Sequence, residues 1–279
     1  MPTLAEKIES DASAKLVLPE DKQPSDELSR FKAFLKFENS RLQMLHRSGG
    51  SGREVCHARA TLLDVLLKHI LDPVRVRLEQ SKTPLPNFAL VAIGGYGRGE
   101  LNPFSDIDIM FLHDTELTAS GKAKPNLGAL TDALLYTLWD LGLKVGHSVR
   151  TVEDCVKVAN SDMQSKTSLI EARLVTGNQE LFDRMRAVVI AKCVRGFEDV
   201  YLQARITDQA ARRAKFGNSP FMQEPNIKNG CGGLRDYQNL LWMAFFKYRT
   251  RTLEELAAKD LITAAEKEQL ETAYDFLLW

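Results

Sequence analysis

Asp106 and Asp108 stand two apart in FALVAIGGYGRGELNPFSDIDIMFLHD, residues 88–114. On a strand, that spacing puts both carboxylates on one face and turns Ile107 and Ile109 to the other, toward a core. Two carboxylates roughly 4 Å apart at an effective dielectric of about 20 repel by on the order of 4 kcal/mol. A cation between them removes the repulsion, and an oxygen-only ligand set favours Mg²⁺, with Mn²⁺ as the alternative, over Zn²⁺. Just upstream, Gly94, Gly95, Gly97 and Gly99 share one loop, where backbone N–H groups can turn toward an anion without obstruction by Cβ. A phosphate-cradling loop one strand away from a carboxylate pair suggests phosphoryl or nucleotidyl transfer. Asp-x-Asp alone fits any polar surface strand. The apolar strand, Gly-Gly, ten intervening residues and Asp-Ile-Asp-Ile in series are far more specific.

The elements that must hold this stretch are legible around it. Phe88–Ile93 and Ile107–Leu112 read as short buried strands. Leu127–Leu141 carries Leu130, Leu134, Leu138 and Leu141 at helical spacing after a polar turn at 122–126. Leu143–Val149 alternates as a third strand with His147 on its apolar face, where a histidine in the core or packed behind the site is the expected reading. Thr151 with Asp154 resembles a capping box. Upstream, a first short helix is broken at Pro19–Pro24, and Ser25-Asp26 caps a helix to about Arg47. Ser48-Gly-Gly-Ser-Gly52 reads as a flexible break, and Arg53–Gln80 as a long helix with Pro73 inside it. From Asp162 onward the pattern is helical: Ser168–Val175, Gln179–Val194 and Phe197–Phe216. Residues 219–235 interrupt it, with Pro225 and then Gly230, Gly232 and Gly233 leading into a helix near Leu234.

Gly94, Gly95, Asp106 and Asp108 match the signature of the DNA polymerase β-like nucleotidyltransferase superfamily. The fuller string GGYGRGELNPFSDIDI resembles the amino-terminal region of the protein-PII uridylyltransferase family, as do GLKVGHSVRTVEDC (142–155) and EPNIKNGCGGLRD (224–236). The resemblance implies an α+β fold: a small mixed β-sheet of the polymerase β-like type, packed with helices and followed by a helical domain. The expected divisions are a helical segment 1–80, a nucleotidyltransferase core 81–157 and a helical domain 158–279 with an active-site loop at 219–236. It also implies UTP as donor and a tyrosine of a PII nitrogen-signalling protein as acceptor, with Asp106 and Asp108 as catalytic metal ligands. Gly94, Gly95, Arg98, Ser105, Lys228 and Arg235 are expected to bind nucleotide. Many members of the superfamily carry a third carboxylate on the third strand. Here Gly146 and His147 occupy that region, so Glu224 and Asp236 are the candidates for the third ligand, with Glu171 behind them.

The chain has 279 residues, 37 Lys plus Arg against 37 Asp plus Glu, and 44% hydrophobic residues. A balanced charge gives no general argument for nucleic acid or an acidic membrane as partner. No apolar run reaches the roughly 18 residues of a membrane span. The amino terminus lacks the apolar core of a signal peptide, and four scattered cysteines point to reduced thiols, so a cytoplasmic setting is expected. Whole enzymes of the family continue with a phosphohydrolase domain and paired ACT domains. This sequence shows no His-Asp metal motif, so it reads as a piece of such a protein, to which uridylyl removal is not assigned. Two other readings stay open: transfer of a nucleotide to another protein or a small molecule, and a regulatory module that binds nucleotide without turnover.

Overall fold

The computed structural model describes residues 2–16, 27–80, 87–114 and 125–279. The expected break at 19–24, the cap at Ser25-Asp26 and residues 122–124 of the expected turn lie outside these. The chain runs α1 (Leu4–Lys15), α2 (Glu27–Arg47), α3 (Gly52–Gln80), β1 (Phe88–Ala92), the single turn α4 (Gly94–Gly97), β2 (Ile107–His113), α5 (Pro125–Asp140) and β3 (Val145–Arg150). It continues through α6 (Val152–Ser161), α7 (Met163–Ile170), β4 (Arg173–Gly177) and α8 (Gln179–Val189), which ends in a π-helical turn at Ile190–Val194. Then come α9 (Glu198–Phe216), α10 (Leu234–Tyr248), α11 (Leu253–Ala257) and α12 (Ala264–Leu278).

The strands form one mixed sheet in the order β3-β2-β1-β4, so the fold is the α+β arrangement read from the sequence. β1 pairs antiparallel with β2 and β4, whereas β2 pairs parallel with β3. Alternation divides the strands between two cores. Phe88, Leu90 and Ala92 of β1, with Ile107, Ile109 and Phe111 of β2, pack against α1–α3 and α5. Ala89, Val91, Met110 and Leu112 face α6 and α8. Full burial of each such large apolar side chain stabilises the fold by about 1.5–3 kcal/mol. Asp108 shares the face of Met110 and Leu112 but keeps part of its surface in solvent, at the end of the sheet where the cleft opens.

Several local expectations change in the structure. The helix expected over Ser168–Val175 stops at Ile170, and Arg173–Gly177 is a strand. Glu, Ala and Arg in that stretch favour helix locally, but the free edge of β1 takes Leu174 and Thr176 into a ladder, and tertiary pairing prevails. Pro125 and Asn126, expected in a turn, open α5. The 48–52 stretch is a packed turn rather than a flexible linker. Gly49 has φ of 85°, and Gly52 lies so close to the end of α12 that an added Cβ would sit 2.3 Å from the Trp279 nitrogen. β3 lies at the sheet edge, so His147 is exposed, with its ring edge-on to Trp139 at 6.5 Å, and is not a core histidine. The capping box at α6 is present, with Asp154 as the third helical residue.

Candidate functional site

A cleft of about 560 Å³ opens at the end of β1 and β2. The 94–108 segment forms its floor, α7 one wall, and the 228–235 segment with α10 the other. Asp106 and Asp108 both line it, as do Gly94, Gly95, Arg98, Ser105, Lys228 and Arg235. The 224–236 loop thus reaches the carboxylate pair across more than a hundred residues of sequence.

Asp108 sits between two glycines. Gly94 has φ of 60°, and a Cβ there would lie 3.5 Å from Asp108 Oδ2. On the other side, Gly146 is in register with Asp108 across the parallel pair, and a Cβ would lie 2.5 Å from Oδ1. A side chain at 146 is therefore incompatible with the Asp108 carboxylate where it stands. This accounts for the glycine at the position where a third carboxylate was sought. Burial first, and the neighbouring Asp106 charge second, push the Asp108 carboxyl above the ordinary aspartate range, while Lys228 draws it part of the way back. Such a pair has the chemistry of a divalent-cation site: two acidic oxygen donors on one cleft wall, in mutual repulsion.

Neither proposed third carboxylate joins the pair. Glu224 is exposed and does not line the cleft. Asp236 faces away from it, accepting from Gln209 at 3.0 Å, Arg213 at 3.1 Å and the Gly232 N–H at 3.0 Å, with Arg212 at 3.5 Å. These bonds hold its carboxyl below the ordinary range against its burial. Its work is to close the glycine turn onto α9 and α10. Glu171 does line the cleft, but Arg98 Nη1 donates to both of its oxygens at 2.9 Å and the Trp242 indole N–H donates to Oε1. Among the described residues, no group of three or more His, Cys, Asp or Glu is placed to hold a metal ion. The two-carboxylate set fits Mg²⁺, which dehydrates reluctantly and is commonly held by one or two carboxylates plus substrate phosphates and water.

The four basic and polar candidates differ in what they are free to do. Arg98 is committed: its Nε donates to Glu100 at 2.9 Å besides the bonds to Glu171. Burial works against its charge, but Glu171 and then Glu100 outweigh it and raise its pKa above the ordinary arginine value. Its Nε and Nη1 are thus engaged by carboxylates, while its Nη2 lies 3.7 Å from where a Gly95 Cβ would stand, on the cleft floor. Arg235 is different. It donates to the Gln238 amide oxygen at 2.9 Å, lies over the Trp242 ring at 5.2 Å, and has no carboxylate within salt-bridge distance among the described residues. Burial, followed by the nearby Arg98 charge, lowers its pKa, with Glu171 drawing it part of the way back, so an anion in the cleft would meet a half-buried cation that no direct ion pair holds among the described residues. Lys228 and Ser105 are exposed at the cleft edge.

Sequence reasoning missed the groups that fix this geometry. Asp64 of α3 accepts from the Tyr96 hydroxyl at 2.6 Å and takes two bonds from Arg173 at 2.6 and 3.0 Å, pinning the α4 turn to α3 and β4. A second chain of bonds runs from Arg235 to Gln238, from Gln238 to the Tyr274 hydroxyl at 3.1 Å, and from that hydroxyl to Glu100 at 2.7 Å. Spacing along the chain carries no signal for either set.

Compared with known proteins, residues 201–279 match the family described as GlnD PII-uridylyltransferase, and residues 5–130 match that described as glutamate-ammonia ligase adenylyltransferase. The bifunctional uridylyltransferase/uridylyl-removing enzyme of Azospirillum brasilense is 34% identical over 252 residues, which is 90% of this chain and 26% of that protein. Its counterpart in Erythrobacter litoralis (strain HTCC2594) is 38% identical over 230 residues, 82% of this chain and 24% of that protein. The chain spans about a quarter of the length of these relatives. Among solved structures, one described as a toxin–antitoxin with AMP-PNP aligns with 51% of this chain and 96% of its own, at 16% identity and a TM-score of 0.25, too slight a likeness to argue from. No helix among the described residues is long and apolar enough to cross a membrane.

Proposed function

Since the chain belongs to the PII-uridylyltransferase family, over about a quarter of the length of its curated relatives, we propose that the cleft is a nucleotidyl-transfer centre, moving UMP from UTP to a tyrosine hydroxyl of a PII-type protein. The observation that carries this reading is the Asp106–Asp108 pair set beside the glycine turn and faced by Arg235 and Lys228. In the reaction, the acceptor oxygen bonds to the α-phosphorus as the bond to the bridging oxygen breaks. Pyrophosphate leaves, and the hydroxyl proton passes to solvent.

Asp106 and Asp108 would hold Mg²⁺ or Mn²⁺, which when bound offsets charge on the phosphoryl oxygens and makes the acceptor hydroxyl more acidic. The chain's own part is mostly positioning. Gly94 and Gly95 open the α4 turn, where N–H groups have no intrahelical acceptor and are available to phosphate oxygens. Arg235 and Lys228 supply positive charge from the opposite wall, where a triphosphate most needs it. Arg98 keeps Glu171 neutralised, so that this carboxylate does not repel the nucleotide.

The position of Asp108 gives a sharp expectation. In Gly146→Ala the new methyl must displace the Asp108 carboxylate, and a misplacement of about 1 Å at a reacting centre lowers turnover on the order of 10²-fold. Circular dichroism and melting should show a folded protein, and kcat should carry the loss. Wild-type kcat in this variant would mean that the carboxylate does not need its observed place.

The function is tested by incubating the chain with Mg²⁺, a PII-type protein and each of labelled UTP, ATP, CTP and GTP in turn, followed by mass spectrometry of the acceptor. The expected product is a uridylylated tyrosine with release of one pyrophosphate per transfer. A second reading, adenylyl transfer to a protein, is favoured by the adenylyltransferase match over residues 5–130 and would appear as AMP addition. Nucleotide binding with no pyrophosphate release in the presence of any acceptor would leave a regulatory module instead.

A further inference from the structure

The cleft is continuous with a second depression. A groove of about 860 Å³ runs from the carboxyl half of α2 and the start of α3 to the end of α12, and Asn102, Phe104 and Ser105 line both it and the cleft. Phe104 is 99% exposed on this shared rim, two residues before Asp106. Trp279, 60% exposed, lines the same groove, so the Phe104 ring is part of an apolar surface and does not stand alone. Leu42, Val55 and Leu143 supply apolar walls.

The charge in the groove is one-sided. Arg47 and Arg59 line it together with His46, and no acidic residue does so among the described residues. Among the described residues, Arg59 makes one long bond, to the Asn39 amide oxygen at 3.4 Å, and its Nε is buried without a hydrogen-bond partner. Burial lowers its pKa, offset only in part by Cys56, and no carboxylate stands within salt-bridge distance of it among the described residues. Arg47 is exposed at the last position of α2. A ligand that reaches both must bring negative charge, and one that covers the walls must bring apolar side chains.

We propose that this groove seats the acceptor: a polypeptide segment with at least one carboxylate beside apolar side chains, which crosses the Phe104 rim to present its hydroxyl to the Asp106–Asp108 pair. The inference rests on the nucleotidyl-transfer reading above and adds where the protein substrate lies. The groove is larger than the nucleotide cleft itself, so a small hydroxylated acceptor would leave most of it empty.

The test is steady-state transfer by the full chain to a PII-type protein at saturating UTP, comparing wild type with Arg47→Glu and, as a second variant, Arg59→Gln. Arg47 is exposed and makes no side-chain hydrogen bond or ion pair among the described residues, so its reversal should leave folding intact. Expected are a roughly tenfold rise in KM for the acceptor in Arg47→Glu, an unchanged KM for UTP, and loss of most of the salt dependence that wild type shows toward the acceptor. Acceptor KM values equal to wild type in both variants, with transfer otherwise intact, would overturn the groove while leaving the nucleotidyl-transfer reading in place. If wild type transfers only to small hydroxylated molecules, the groove falls too. If it transfers to nothing, both inferences fall together.

Discussion

Asp106→Asn and Asp108→Asn proteins will transfer nucleotide at about one thousandth of the wild-type rate or less. Each change removes a charged oxygen from the pair that would hold the cation, and loss of several kcal/mol of charge stabilisation corresponds to about that factor. The fold should not suffer. Because burial and the Asp106 charge raise the Asp108 pKa, the folded, metal-free chain binds that proton more tightly than the unfolded chain does. The stability linked to this group is therefore present below the ordinary aspartate range and is lost as pH rises through the raised value. An amide at 108 removes that loss, so the metal-free Asp108→Asn protein should melt no lower than wild type at neutral pH. Added Mg²⁺ should then raise the melting temperature of wild type and not of the variant. Near-wild-type transfer by either variant at saturating Mg²⁺ would defeat the metal assignment.

Replacing Arg98 should be the most damaging single change to stability around the cleft. Arg98 and Glu171 are 19% and 8% exposed, and Arg98 also bonds Glu100. In Arg98→Ala, the Glu171 carboxylate stays buried with only the Trp242 indole as a donor. Breaking a buried ion pair from one side costs about 3–5 kcal/mol, because the remaining charge is uncompensated. Denaturant unfolding measures this directly. The double replacement Arg98→Met with Glu171→Met should recover much of the loss, since it leaves no orphaned charge. A single-variant loss below about 1 kcal/mol would show the pair to be well solvated.

The strand–glycine turn–strand unit was readable because its signals are local: period-two alternation, glycines at the turn, and acidic residues spaced for one face. β4 was not, because Arg173–Gly177 is a strand only by virtue of β1, which lies some eighty residues earlier in the chain. The same distinction applies to charge. A basic residue in a glycine loop looks like a phosphate ligand, and nothing in the sequence says that Glu171 has already claimed Arg98. Asp236 looked free for the same reason, although Arg212 and Arg213 stand against it in space. That Arg235 and Lys228 line the cleft was legible because their loop interrupts a helical region with glycines. The slot for Asp108 was half legible: Gly146 was noticed as a missing carboxylate, whereas its role is to leave room.

Tyr274 links the last helix to the cleft through Glu100 on one side and Gln238 on the other. Its ring stacks on Tyr237 with centroids 3.7 Å apart, so it cannot move without disturbing α10. Glu100 and Gln238 also line the cleft, so the docking of α12 and the shape of the cleft share these two side chains. A nucleotide that tightened either bond would strengthen the hold on α12, and a force that shifts α12 would then weaken its affinity by the same factor.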